Sequence, residues 1–142
     1  MIRDFKIQDI DRIMELWLDT NRLAHDFIND EYWQKSYEPV KAMMPKATIY
    51  VYEEDKVIKG FVGLMDNYIA GIFIVQSYQS KGIGKQLLDY VKNKKTMLSL
   101  CVYKKNKQAI QFYLRENFKI IEERIEETTG EIEFNMNWIK GE

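Results

Sequence analysis

Residues Tyr68 to Val91 read YIAGIFIVQSYQSKGIGKQLLDYV, an apolar run followed by a polar turn with two glycines and then a helical pattern. The run Tyr68 to Val75 is short and rich in β-branched and aromatic residues, which predicts a strand buried on both faces rather than a helix. Gln79-Ser80-Lys81-Gly82-Ile83-Gly84 carries its glycines one residue apart, and a backbone without Cβ lets main-chain N–H groups come close to a ligand. Ile83, Leu87, Leu88 and Val91 then recur at i, i+4, i+5 and i+8, one apolar face of a helix. The turn therefore sits at a helix N-terminus, where unpaired donors and the positive end of the macrodipole favour a phosphate.

Two familiar phosphate loops do not fit. A P-loop needs a glycine five residues before its Gly-Lys pair, and Gln79 stands there; Gln86, not Ser or Thr, follows Lys85. The dinucleotide fingerprint needs a third glycine where Leu87 stands. What remains is Gln-x-x-Gly-x-Gly, a pattern that a plain strand-to-helix turn also satisfies, so its surroundings decide.

Upstream, Asp9 or Asp11 can cap a first helix carrying Ile10, Ile13, Met14 and Trp17 on one face. Asn29 and Asp30 offer a second cap, and Pro39, lacking an N–H, is expected to break or kink the helix that runs to about Met44. Ile49 to Tyr52 and Val57 to Met65 read as strands joined by a hairpin turn at residues 53–56, and Asp66-Asn67 turns the chain into the run at Tyr68. Downstream, Thr96 to Tyr103 is another buried strand; the helix before it makes a βαβ crossover and implies parallel pairing. Asn106 opens a helix that Asn117 closes, and Phe118 to Glu122 with Ile132 to Trp138 form a final antiparallel pair.

At 142 residues the chain is the size of one domain, 1–142, able to bury a core without disulfides or metals. Hydrophobic residues at 46% and charged residues at 30% exclude a disordered chain. Met1-Ile2-Arg3-Asp4-Phe5-Lys6 carries charge where a secretion signal has its apolar centre, no run is long enough to span a membrane, and Cys101 is the only cysteine, so a cytoplasmic location is expected. The net charge of −1 hides an asymmetry: residues 81–107 hold eight lysines against Asp89, giving +7, with −8 elsewhere. A basic field around the turn suits a ligand bearing several phosphates. A pI near 6.0 and the absence of a recognition motif argue against nucleic acid as the partner.

The hexapeptide Gln79 to Gly84, the stretch Asn106 to Phe118 and the element order β–α–α–β–β–β–α–β–α–β–β together resemble the GNAT superfamily of N-acetyltransferases. The stretch His25-Asp26-Phe27-Ile28 followed by Tyr32-Trp33 resembles its small bacterial YjaB-like branch. The resemblance implies an α/β (α+β) GNAT fold: a mixed, mostly antiparallel central sheet with a splayed parallel pair, flanked by about four helices. It implies acetyl-CoA as cosubstrate, no metal, and an amine of a small molecule or peptide as acceptor, attacked directly in a ternary complex, in a monomer or homodimer. The main chain of Ile72, Phe73 and Ile74 would hold the pantetheine, with Gln79, Ser80, Lys81, Gly82, Ile83, Gly84 and Lys85 around the pyrophosphate and Asn106 and Tyr113 also contacting the cofactor.

In that reading an N–H near Ile74 serves the oxyanion, and Tyr113, a phenol protonated at neutral pH, gives a proton to the departing thiolate. Tyr113 also falls on an apolar stripe with Ala109, Ile110 and Leu114, which core packing alone would explain. His25 is a candidate acceptor-side base, with Asp26 as its orienter or as the partner of the substrate ammonium, and His25, Asp26 and Phe27 are candidate substrate-binding residues; a lone histidine at a helix end serves equally as a structural residue. The chain departs from the family pattern at Gln79 for arginine, Gln76 for proline, Asn117 for glycine, and Cys101 where some members carry a glutamate base. The alternative function is a non-catalytic acyl-CoA-binding or regulatory module.

Overall fold

A computed structural model describes residues 1–142. The elements in order are β1 (Ile2–Asp4), α1 (Ile10–Ala24), α2 (Asp30–Met43), β2 (Thr48–Glu54), β3 (Val57–Met65), β4 (Tyr68–Ile74), α3 (Ile83–Lys92), β5 (Met97–Tyr103), α4 (Lys107–Arg115), β6 (Lys119–Ile125) and β7 (Ile132–Ile139). This is the order expected from the sequence. The strands form one sheet in the order β1-β2-β3-β4-β5-β7-β6, with β4 and β5 parallel and every other pair antiparallel. No helix is long and apolar enough to cross a membrane.

Alternation along the strands divides the core in two. Phe61 of β3 joins Ile49, Val51, Ile13, Met14, Trp17 and Trp33 under α1 and α2, while Val62 and Leu64 join Leu98, Leu100, Met136 and the inner faces of α3 and α4. Ile83, Leu87, Leu88 and Val91 are all buried, as the helical spacing predicts. Each such side chain contributes roughly 1.5–3 kcal/mol through removal of apolar surface from water, so α3 is fixed on the sheet by packing and its N-terminal turn is free for other work.

Two local expectations change. The helix α2 continues through Pro39 to Met43. Pro39 and Lys35, whose carbonyl loses its helical partner, are both exposed, so water satisfies the freed group. Asp9 does stand at the N-cap of α1 but forms no capping bond there; its carboxylate accepts from Lys6 N at 2.8 Å and from Arg3 at 2.9 Å and 3.1 Å. Asn117 does adopt a left-handed backbone, φ +71°, as the end of α4 requires.

Candidate active site

The strands β4 and β5 pair only at Tyr68 with Ser99 and at Ile69 with Leu100, then part. The separation starts at a bulge: the β3–β4 register steps from Leu64↔Ile69 to Gly63↔Gly71, leaving Ala70 extra. A bulge bends and twists its strand, so the residue after the last β4–β5 pair turns β4 away from β5. Gly71 is needed at this point, because a Cβ there would lie 2.4 Å from the Phe73 ring.

Beyond the bulge, Val75 N donates to Lys59 O at 2.9 Å and Phe73 faces Phe61 in register. The alternation of an antiparallel ladder then commits the polar groups of Phe73 to β3 and turns those of Ile72 and Ile74 toward the gap. Of the three residues the sequence assigns to the pantetheine, two thus present main-chain groups to the gap. Phe73 instead supplies its ring to the core, stacked on Phe61 at 4.7 Å.

At the end of β4 the backbone is left-handed at Ser80 (φ +63°) and Gly82 (φ +84°), a conformation that builds anion-binding concavities from successive amides. The amides of Ser80, Lys81, Gly82, Ile83, Gly84 and Lys85 donate to no main-chain carbonyl. Asn29 and Asn106 cap α2 and α4 with side-chain oxygens, but α3 has no capping side chain. Its orphan donors, at the positive end of the helix, fit a pyrophosphate. Gln79 differs from its neighbours: its amide donates to Gln76 O at 3.2 Å and its side chain to Ile74 O at 3.1 Å, so it braces the turn. Lys85 Nζ is 3.0 Å from Glu116 and 3.4 Å from Asp89. Lys81 Nζ lies 5.0 Å from the centre of the Tyr78 ring.

The gap and the turn open into one cavity of about 1050 Å³, lined among others by Ile72, Ile74, Ser80, Gly82, Gly84, Asn106 and Tyr113. Tyr113 is 7% exposed, with its ring edge-on to Phe112 and Phe118. Burial pushes its phenol above the ordinary range, so it is fully protonated at neutral pH and a donor. The ring belongs to the core and also lines the cavity, so packing and a catalytic role coexist. A smaller depression of about 430 Å³ between α1 and the residues that follow β4 contains Arg12 and Arg22, both already occupied, by Ile58 O and Glu15 and by Asp30 respectively.

Asn106 joins the two sides of the gap. Its Oδ1 accepts from Ala109 N at 3.3 Å and its Nδ2 lies 3.2 Å from His25 Nε2. With Nδ2 as donor, Nε2 accepts and the histidine is the neutral tautomer protonated at Nδ1, an atom sealed with no partner in the protein. His25 stacks on Trp33 at 5.4 Å and meets Phe27 and Tyr103 edge-on. Burial lowers its pKa from 6.5 to about 4, with the nearby Asn21 main chain opposing. A base whose lone pair is engaged and whose pKa is so low takes up protons poorly at neutral pH; His25 is placed to hold Asn106. Asp26 is exposed and outside the cavity wall, and Phe27 stands behind His25 against Tyr103 at 5.7 Å.

The sequence gives no role to Tyr103, Glu126 or Glu133, and it names Trp33 only within the stretch resembling the YjaB-like branch and Cys101 only as a departure from the family pattern. Trp33, 6% exposed, has its Nε1 without a partner. Tyr103, Glu126 and Glu133 also line the cavity. Burial raises the Tyr103 phenol, with Tyr32 and Glu126 adding and a hydrogen bond with Thr129 opposing. Cys101 is half-buried with Sγ 3.0 Å from Arg124 Nη2. For Tyr103, Glu126 and Glu133 the only trace in the sequence was the strict alternation of β7, in which Glu133 comes to face Tyr103.

The family profile described as "Acetyltransferase (GNAT) domain" matches residues 45–120. The peptidyl-lysine N-acetyltransferase YiaC of Escherichia coli (strain K12) is 34% identical over 140 residues, covering 97% of this chain and 96% of that protein. The peptidyl-lysine N-acetyltransferase YjaB of Salmonella typhimurium (strain LT2) is 26% identical over 121 residues, 84% of this chain and 83% of that protein. The solution structure of apo-form YjaB from Escherichia coli superposes with a TM-score of 0.85 at 22% identity, covering 97% of this chain and 96% of that one. Together with the parted strands and the uncapped helix, these likenesses make the chain a member of the GNAT family of acetyl-CoA-dependent N-acetyltransferases.

Proposed function

We propose that this chain, acting as one domain in the cytoplasm, transfers acetyl from acetyl-CoA to the ε-amine of a lysine in a peptide or protein, by direct attack within a ternary complex. The observation that carries the reading is the gap between β4 and β5, open immediately beside amides that the fold leaves without partners. The names of the relatives, both peptidyl-lysine N-acetyltransferases, supply the acceptor.

In this reading the amides of Ser80 to Lys85 hold the pyrophosphate, while Gln79 supports the turn from within. Main-chain groups of Ile72 and Ile74 pair with the pantetheine as a neighbouring strand would. A main-chain N–H near Ile74 donates to the thioester oxygen as it gains charge. Tyr113 gives its phenolic proton to the thiolate as the C–S bond breaks. Asn106, held by His25, closes the other edge of the gap. The amine loses its proton through water.

The test is to incubate the protein with acetyl-CoA and peptides containing one lysine, following CoA release and the mass of the peptide. Equimolar CoA and singly acetylated peptide are expected. Release of CoA only with small-molecule amines, with no peptide modified, would overturn the choice of acceptor.

A further inference from the structure

Three carboxylates stand in the cavity wall, Glu116, Glu126 and Glu133, and two of them are neutralised from within. Glu116 has Lys85 at 3.0 Å and Lys92 at 3.9 Å; Glu133 has Arg124 at 3.0 Å. Glu126 has no cation. Its partners are neutral: Thr129 N and Thr129 Oγ1 each donate to Oε2 at 2.7 Å. The cations around it are themselves taken: Arg124, two residues away along the chain, by Glu133, Lys104 by Glu123 at 3.2 Å and Lys105 by Glu131 at 3.1 Å. Burial pushes the Glu126 carboxyl up, but the hydrogen bonds from Thr129 outweigh it and hold the group below the usual carboxylate range. It is therefore ionised at neutral pH.

A half-buried charge without a counter-charge is costly to desolvate, and a fold keeps one mainly where something else neutralises it. The surroundings indicate what. Tyr103 shares the cavity wall with Glu126 and feels its charge, and an aromatic side chain near a carboxylate accommodates an aliphatic stem and attracts a cation.

We propose that Glu126 receives the ammonium group of the incoming lysine and selects cationic alkylamines as acceptors. The proposal rests on the peptidyl-lysine reading above and adds the residue that recognises the amine. Glu126 acts in binding; a carboxylate held at low pKa is a weak proton acceptor, and the amine is deprotonated after it is seated.

The experiment is steady-state kinetics of the full chain with a peptide containing a single lysine. Glu126→Gln keeps the shape and an oxygen for Thr129 but removes the charge. Its KM for the peptide is expected to rise about tenfold, the size of one charge-assisted hydrogen bond, with kcat and the KM for acetyl-CoA within about twofold. The wild-type KM for the peptide should increase with ionic strength, and that dependence should disappear in Glu126→Gln. Glu126→Asp, which retains the charge, should recover most of the affinity. An unchanged KM in Glu126→Gln, or an equal loss in Glu126→Asp and Glu126→Gln, would overturn the inference while leaving the proposed function intact. A wild type that modifies no lysine peptide would overturn both.

Discussion

The turn from Gln79 to Lys85 and the wall formed by His25, Trp33, Tyr103 and Glu126 border the same cavity, but the first offers main-chain amides and the second offers side chains. The amides are available because α3 lacks a capping side chain, a property fixed within a few consecutive residues. The wall comes from the loop after α1, from α2, from the end of β5 and from the β6–β7 hairpin, and each contribution gains its meaning only from the others. His25 is a neutral clamp because Asn106, 81 residues away, meets its ring nitrogen. A ligand common to a whole family can be read by backbone, whose chemistry does not vary; an acceptor that distinguishes one enzyme from another needs side chains.

Substitutions can break this contrast on either side. The largest effect is expected at Gly84. A Cβ there would meet Phe112 at an ordinary 3.5 Å, so Gly84→Glu should fold, yet its carboxylate would occupy the anion site. Calorimetric titration with CoA should show binding weakened by more than about a hundredfold, with Tm near that of the wild type. Wild-type affinity in that variant would mean the amides do not hold the pyrophosphate.

Tyr113→Phe tests a side chain on the cofactor side of the cavity. Loss of the proton donor should lower kcat by about 10²-fold and leave CoA affinity almost unchanged, measured by single-turnover kinetics and titration. A full-rate Tyr113→Phe would reduce Tyr113 to a packing residue.

On the acceptor side, His25 should impose a pH dependence on stability. Its folded pKa, about 4, is below the ordinary 6.5, so above 6.5 neither state binds the proton and there is no effect. As pH falls from 6.5 toward 4 the unfolded chain takes up a proton the folded chain refuses, and stability is lost. At pH 5 the loss attributable to His25 is about 2 kcal/mol. Denaturant unfolding at pH 7 and pH 5 should show it in the wild type and not in His25→Phe, which keeps an apolar ring. Equal pH sensitivity in both would place His25 in a more solvated setting than the stack on Trp33 implies.

The smallest effect should be on β6, whose seven residues are all exposed. Ile121→Ser, at a side chain 57% exposed, should change unfolding free energy by less than about 0.5 kcal/mol. A larger loss, or a change in sedimentation, would show that this edge strand is covered in solution.

How far the fold could be read in advance follows the same division. The strand order from β2 to β5 was legible because each element announces itself locally: alternation in β2 and β3, a short apolar run in β4, helical spacing in α3. The insertion of β7 between β5 and β6 was not, since pairing partners distant in sequence leave no mark on either strand alone. Within the site, Asn106 and Tyr113 were legible from their spacing in one helix. That the Gln79 side chain also braces the turn was not legible, because its direction depends on where the Ile74 carbonyl falls. Glu126 was not read at all; in the sequence it is one acid in a run of them, and only the folded arrangement leaves it without a cation.

The sequence alone determined the elements, the glycine turn at the head of α3 and the family, since these depend on periodicity and on backbone freedom within short windows. The tertiary structure decided which polar groups remain unsatisfied: the amides beyond Gln79, the Ile72 groups and the Ile74 N–H turned to the gap by the bulge at Ala70, and the uncompensated charge of Glu126. Satisfaction of a hydrogen bond or a charge is a property of a pair, and a chain read one residue after another does not show which pairs will form.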